Sequence, residues 1–458
     1  MVFLLLLLSS IMLNLALIYP ANLSWLVFIF LIPLFYVAFK RPAGLSFIAG
    51  FFWGVTFFLI HFSGFLFLFY EQANNTLGVV IPIIISIYCA LYGGLWFSLA
   101  NYISRLCSRD TFVTFLSWTL WTYLYFVWIR YGVLWISGKF VGYPFSYPLL
   151  PLASNQITIR FLQLFSKNIV LLIIIAFSLF VALFLTFFKK RYLLCVTSLL
   201  CLFFLSICVN KEKKDVPHEI QQIGYINPCA AQLYDHPVDA AQEICYAMID
   251  LIDKNPQVKT IVMPESSYIF YLNERQDMID MWHANALGDD VSICIGAPYK
   301  QGKNVYNSLY WIKGRSIQNV YHKTNLVAFT EYVTPFWQYV PYIRNLFLDE
   351  GNFYSQGQRR LITFQLCKNI CMKPLICSDF FIGKRNVGVQ LKGRDFSTVL
   401  IVVNDEVFSV QYLRDLMFLC ARLEAINRKK DILYVGYYFA AWISSGGGVL
   451  LIKSLETF

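Results

Sequence analysis

Residues Pro374–Phe381 read PLICSDFF: an apolar run leads into a lone thiol at Cys377, and a polar Ser378–Asp379 step follows. A buried strand ends this way when it presents a nucleophile at a strand-to-loop bend. Two other chemistry-bearing residues close strand-like runs of their own. Glu265 ends KTIVMPE (259–265), and Lys323 ends the hairpin YNSLYWIKGRSIQNVYHK (306–323). A thiol, a carboxylate and an amine held together can carry out acyl transfer through a covalent thioester. Each residue also has a plainer reading. Cys377 is otherwise a structural thiol, Lys323 and Glu331 a surface ion pair, and Glu265 the cap of a helix starting at Ser266 or Ser267.

The rest of the chain falls into two unlike halves. Overall, 58% of its 458 residues are hydrophobic and 14% charged, a membrane composition. Residues 1–209 hold eleven Lys and Arg against two acids, Glu71 and Asp110, whereas 210–458 hold 26 against 25. The +10 net charge therefore belongs almost wholly to the apolar half, and the second half has no electrostatic footprint for nucleic acid. Twelve cysteines give no disulfide framework: five lie in or beside apolar runs and seven, an odd number, in the second half. Cys367 and Cys371 flank a turn and could bridge in an oxidising compartment. CxxC, HExxH and zinc-spaced Cys/His patterns are missing, so no metal or cofactor is expected.

A spanning helix needs about 20 apolar residues. Seven are expected, at 2–19, 23–39, 45–70, 77–104, 111–137, 163–188 and 191–209, forming a bundle over 1–209. The first is read as a retained helix, since it has no basic start or cleavage site. The turns after spans 2, 4 and 6 carry Lys40–Arg41, Arg105 with Arg109, and Lys189–Lys190–Arg191. By the positive-inside rule that side is cytoplasmic, and an odd number of spans places 210–458 outside. The segment 138–162 contains Pro144, Pro148 and Pro151 and reads as irregular, either a vestibule or a plain loop. Arg130 reads as an outer-interface residue and His61 as a packing histidine.

In the second half PVDAAQEICYAMIDLIDK repeats its apolar residues at helical spacing. Strand-like runs follow at KTIVMPE, VSICIGAP, the hairpin turning at Gly314–Arg315, LITFQLC, ICMKPLIC and STVLIVVND. The helix QYLRDLMFLCARLEAINRK and short strands near 432–438, 441–444 and 448–453 complete an α/β layered domain over 210–458. The arm FTEYVTPFWQYVPYIRNLFL (329–348) is too apolar for an exposed loop. It reads as a membrane-dipping lid anchored by Phe336, Trp337, Tyr339 and Tyr342, or as a buried crossover.

MPE at Glu265, YHKTNLVAFTEYV with Lys323 and Glu331, the thiol in LICSD, and VVND resemble the nitrilase (carbon-nitrogen hydrolase) superfamily. More narrowly they are similar to the apolipoprotein N-acyltransferases, over nearly the whole chain. The resemblance implies a multi-span helical membrane bundle followed by an α/β nitrilase-like α-β-β-α sandwich, in the bacterial cytoplasmic membrane with the domain outside. It implies an acyl chain taken from a membrane phospholipid onto Cys377 and passed to the N-terminal amine of a diacylglyceryl-cysteine lipoprotein. In that scheme Glu265 is the general base, Lys323 the cation and oxyanion donor, and Glu331 the group that orients Lys323, with Asp379 as support. Departures are Ser378 in place of an aromatic, Glu406–Ser409 in place of a Trp-Phe-Gly-like run, and no last spanning helix after GGVLLIKSLETF. The alternatives are a nitrilase-type amide hydrolase using water, and a non-catalytic relative that binds lipid or lipoprotein.

Overall fold

In hydrocarbon a backbone must satisfy its own hydrogen bonds, and the apolar half does so as helices. The computed structural model describes residues 1–40, 45–73, 77–106, 111–132, 134–136, 139–141, 143–187, 217–228, 235–288, 290–327, 331–332, 354–358, 362–367, 370–381, 398–408 and 410–452. The chain divides into two units, Met1–Glu212 with Phe408–Asn427, and Lys213–Val407 with Arg428–Phe458.

In the first unit, five of the described helices are long and apolar enough to cross a membrane: Pro20–Lys40, Ser46–Gly64, Pro82–Leu106, Phe112–Gly132 and Lys167–Thr186. These correspond to the second to sixth expected spans. The first, Val2–Ile18, has 17 residues and spans about 26 Å at the helical rise, short of the roughly 30 Å hydrocarbon core. The seventh, 191–209, lies outside the described residues. Pro20–Lys40 is not one regular helix: a 3₁₀ stretch at Ser24–Phe28 interrupts it before Leu31–Lys40. The segment 138–162 is irregular only in part. An antiparallel pair, β1 (Leu134–Ile136) and β2 (Lys139–Val141), precedes 3₁₀ turns at Pro144–Ser146 and Leu150–Ala153. Past its last proline it becomes the helix Gln156–Leu164.

One polar cluster departs from expectation. Arg130 is buried, not interfacial, and its Nη2 bonds Glu424 Oε1, which also takes Lys167 Nζ at 2.6 Å. Glu424 lies on the helix Gln411–Arg428. On the same helix Tyr412 donates its hydroxyl to the His61 carbonyl at 2.6 Å, and Arg422 Nη1 donates to the Ser154 carbonyl. These bonds explain why 408–427 groups with the first unit and not with 210–458 as the sequence suggested. His61 is fully buried and stacks on Phe57 at 5.6 Å, as a packing histidine does.

The second unit is built on two sheets. The first runs β3 (Ile223–Tyr225), β4 (Thr260–Val262), β5 (Ser292–Gln301), β6 (Asn304–Lys313) and β7 (Ser316–His322), parallel through β5 and antiparallel beyond. Gly314 at φ 58° supplies the left-handed turn between β6 and β7. The second has the order β13 (Val449–Leu451), β12 (Ala440–Ile443), β11 (Asp431–Val435), β10 (Thr398–Val402), β9 (Ile370–Ile376) and β8 (Phe364–Cys367). In it β9, β10 and β11 are parallel and the outer pairs antiparallel.

The two sheets stack face to face. Trp311 of β6 lies 6.0 Å from Phe364 of β8, and Thr260 Oγ1 donates to the Leu366 carbonyl. The helix Pro237–Lys254 covers the outer face of the first sheet, burying Ala241, Ile244, Met248 and Leu251 with Ile261, Met263, Ile293 and Trp282. Pro237 suits the first helical position because its missing N–H would be unpaired there anyway, and the Trp282 indole donates to the Ala241 carbonyl at 2.7 Å. The chain is thus a multi-span helical part followed by an α/β layered domain.

Candidate active site

Parallel strands that end in register deliver their next residues to one place. Ile376, Val402 and Val435 end β9, β10 and β11 on one level, so Cys377, Asn404–Asp405 and Gly436–Tyr437 emerge side by side. In the other sheet Val262 is level with Cys294, and Met263 N donates to the Cys294 carbonyl at 2.9 Å. That carries Glu265 just past the end of β4. Lys323 prolongs β7, its N–H donating to the Asn307 carbonyl at 2.8 Å.

The backbone is strained where the chemistry would occur. Cys377 has φ 41° and Ser266, next to Glu265, has φ 60°. Non-glycine residues hold such values only where the surroundings over-determine them. At Cys377, the N–H donates to the Val402 carbonyl at 2.8 Å while its own carbonyl accepts from Phe380 N at 3.0 Å. Beneath Glu265, β5 passes so close that a Cβ on Gly296 would lie 2.5 Å from the Pro264 carbonyl oxygen and 2.8 Å from Glu265 Cα. Only glycine allows that approach.

Four of the expected residues converge. Lys323 Nζ lies 2.7 Å from Glu265 Oε1 and 2.9 Å from Glu331 Oε1. The Cys377 thiol is close enough to feel the charges of Glu265, Lys323 and Glu331. Lys323 is 2 % exposed, Glu265 4 % and Glu331 8 %, so these charges act with little screening. The fifth, Asp379, is also buried but works on the backbone. It accepts from Thr324 N at 3.0 Å, Thr324 Oγ1 at 2.7 Å, Asn325 N at 2.6 Å and the Tyr321 hydroxyl at 2.8 Å. With Ser378 Oγ donating to the Asn325 carbonyl, it ties the turn at Cys377 to the segment leaving Lys323. Phe336, Trp337, Tyr339 and Tyr342 lie outside the described residues.

Three further groups were not read from the sequence. Asn307 Nδ2 donates to Glu265 Oε1 at 2.8 Å and to Glu331 Oε1 at 2.7 Å. Asn404 N donates to Glu265 Oε2 at 3.0 Å, and the Tyr437 hydroxyl to the Glu265 carbonyl at 2.9 Å. The available signal for Asn307 is an amide placed inside the apolar strand YNSLYWIK; for Asn404 it is the VVND motif. A backbone N–H has no sequence signature, so its part in the site stays invisible until the fold is known.

The charges have defined directions. Burial alone would depress the Lys323 ammonium, but Glu265 and Glu331 outweigh it and hold the group well above the ordinary lysine value. Burial, then the Glu265 charge, push the Cys377 thiol well above its usual value, against the pull of Lys323. The thiol therefore rests protonated beside a carboxylate that can take its proton. Burial raises the Asp379 carboxyl, opposed by its hydrogen bonds from Thr324 and Tyr321. Among the described residues no group of three or more His, Cys, Asp or Glu could hold a metal ion.

No protein-family model and no curated protein matches the chain. Among solved structures, the chain is similar to a glutamine-dependent NAD+ synthetase from Acinetobacter baumannii in complex with ADP, at 18% identity and a TM-score of 0.36. That match covers 50% of this chain and 41% of the other, so the chain spans less than half the synthetase. It is also similar to a CN-hydrolase superfamily protein from Xanthomonas campestris with an arsenic adduct in its active site, at 18% identity and a TM-score of 0.35, over 49% of this chain and 83% of that one.

Proposed function

We propose that the chain is an apolipoprotein N-acyltransferase with a nitrilase-type catalytic centre. The observation that carries the reading is the convergence of thiol, carboxylate and ammonium, with Lys323 Nζ 2.7 Å from Glu265 Oε1 and the Cys377 thiol within reach of the charges of both. Five membrane-length helices on the same chain favour a substrate that lives in a bilayer over a soluble amide or nitrile.

In the proposed first half-reaction Glu265 accepts the Cys377 proton while Sγ attacks an ester carbonyl of a phospholipid. Two of the ammonium's three N–H bonds point at Glu265 and Glu331, and Lys323 offers the third to the developing oxyanion. Collapse breaks the ester C–O bond. The departing lysophospholipid oxygen takes the proton back from Glu265, and the acyl group stays on sulfur. In the second half-reaction the N-terminal amine of a diacylglyceryl-cysteine protein attacks the thioester. Glu265 takes the amine proton and returns it to sulfur as the amide forms. An α-amino group, with a pKa near 8, has roughly one molecule in ten unprotonated at pH 7, far more than a lysine side chain. That selects the N-terminus chemically. No nucleotide is needed, because the overall transfer runs from an ester to a more stable amide, with the thioester as a transient intermediate between them. With the basic turns facing the cytoplasm, the catalytic domain of the proposed enzyme works on the outer face of the cytoplasmic membrane.

The test is to incubate the purified protein with phospholipid vesicles and weigh it intact. An acyl-sized mass gain that is absent in Cys377→Ser and discharged by a diacylglyceryl-cysteine peptide supports the proposal. Discharge by water alone identifies a hydrolase. Normal lipid binding with no adduct identifies a non-catalytic relative.

A further inference from the structure

We propose that Tyr437 is a positioning residue for the Glu265 carboxylate, with Asp405 fixing Tyr437 in turn. The proposal deepens the reading above, since it rests on Glu265 being the base.

Tyr437 is 1 % exposed and follows the end of β11. Its hydroxyl crosses from the second sheet to the first and donates to the Glu265 carbonyl at 2.9 Å. Every polar group of its main chain and side chain is engaged in holding that position. Its N–H donates to Asp405 Oδ1 at 2.6 Å, and its carbonyl accepts the Tyr225 hydroxyl at 2.6 Å. Asp405 has no exposed surface, and Gly436 lies so close to it that a Cβ there would stand 2.5 Å from Asp405 Oδ2. Next to Asp405, Asn404 N donates to Glu265 Oε2. The second sheet therefore grips Glu265 twice, at its main chain through Tyr437 and at its carboxylate through Asn404.

Such a grip is needed because the turn is strained. Ser266 sits at φ 60° without being glycine, and that conformation persists only when neighbouring bonds over-determine it. Without the Tyr437 hydroxyl, the Pro264–Ser266 turn relaxes and the carboxylate leaves its place between the thiol and the ammonium. Tyr437 touches none of the reacting groups itself, so it acts only through Glu265.

The test compares Tyr437→Phe, which keeps the ring and removes the O–H, with Tyr310→Phe, which removes a buried hydroxyl of the same domain that donates to the Pro298 carbonyl. Two quantities are read: acyl-adduct formation from phosphatidylethanolamine–phosphatidylglycerol vesicles, and the pH midpoint of iodoacetamide alkylation at Cys377, followed by peptide mass. The groups facing that thiol are Glu265, Lys323 and Glu331, so displacing Glu265 moves the midpoint in the direction given by Glu265→Gln. Tyr437→Phe is expected to slow acylation on the order of 10- to 100-fold at unchanged lipid KM and to shift the midpoint towards that of Glu265→Gln. Tyr310→Phe is expected to leave both near wild type. Wild-type behaviour of Tyr437→Phe, or equal losses in the two variants with a parallel drop in melting temperature, overturns the proposal. If the wild type takes no acyl group from the vesicles, the acyltransferase reading falls, and the alkylation midpoint still decides the role of Tyr437.

Discussion

The ammonium of Lys323 lies 2.7 Å from Glu265 Oε1, a pairing of two strand-end residues 58 positions apart that only the closing of the β4–β7 sheet can create. Neither group is solvated, and Glu331 and Asn307 complete the cluster. A buried cation between two carboxylates keeps its charge, and the carboxylate it shares with the thiol is held where a proton can pass.

Glu265→Gln keeps the shape and removes the charge. Glu265 is one of the causes that raise the Cys377 thiol, and Lys323 opposes it. The variant thiol should therefore ionise at lower pH, and alkylation of Cys377 should reach its midpoint earlier than in the wild type. The proposed acyl transfer should nevertheless fall by about 100-fold or more, because the carboxylate proposed as its base is gone. A midpoint that stays or rises contradicts the arrangement.

Lys323→Met removes the cation from a buried pair, which costs about 3–5 kcal/mol. In the wild type the ammonium is raised above its unfolded value. Its stabilising contribution is thus complete below the ordinary lysine range and is lost only as pH climbs through the folded value. In the variant Glu265 and Glu331 share the Asn307 amide with no counter-charge, and like charges repel. Its melting temperature in detergent should lie well below that of the wild type at neutral pH, and the gap should narrow as pH climbs into the range where the folded ammonium loses its proton.

Gly296→Ala should damage activity more than stability. The added methyl would meet the Pro264 carbonyl and Glu265 Cα, and a shift near 1 Å in a catalytic group costs up to about 100-fold. Steady-state transfer rates beside thermal melts check this. A variant that melts far below the wild type while its folded fraction keeps full activity goes against it.

Glu424→Gln should destabilise the first unit. One carboxylate serves both Arg130 and Lys167, all three being buried, and its loss leaves two cations uncompensated, at about 3–5 kcal/mol. The triple replacement Arg130→Leu, Lys167→Leu and Glu424→Leu should recover part of the loss, as read by detergent melts. A single variant as stable as the wild type would show that the cluster contributes nothing net.

Much of the fold was legible. The helix expected over 237–254 spans Pro237–Lys254, because one period-3.6 apolar stripe begins at a helix-starting proline and meets a sheet. The hairpin turns at Gly314 because only a positive φ closes it. Cys377 stands just past β9, as the change from PLI to Ser–Asp implied. The helix Gln411–Arg428 was expected as a helix, but its partners were not. Its Glu424 reads as an ordinary polar residue until Arg130 and Lys167, more than 250 residues away, are seen to share it. Asn307 looks like a misplaced polar residue on β6 until both carboxylates are found on its amide.

By itself the sequence determined what depends on near neighbours and composition: which half is apolar, where helices and strands begin, and which residues carry a thiol, an amine or a carboxylate. The tertiary structure alone decided what depends on distant segments meeting. It set Asn404 N and the Tyr437 hydroxyl against Glu265, and gave 408–427 to the first unit. The reason is physical: periodicity and turn chemistry act over a few residues, whereas burial and charge pairing act only once the chain has folded back on itself.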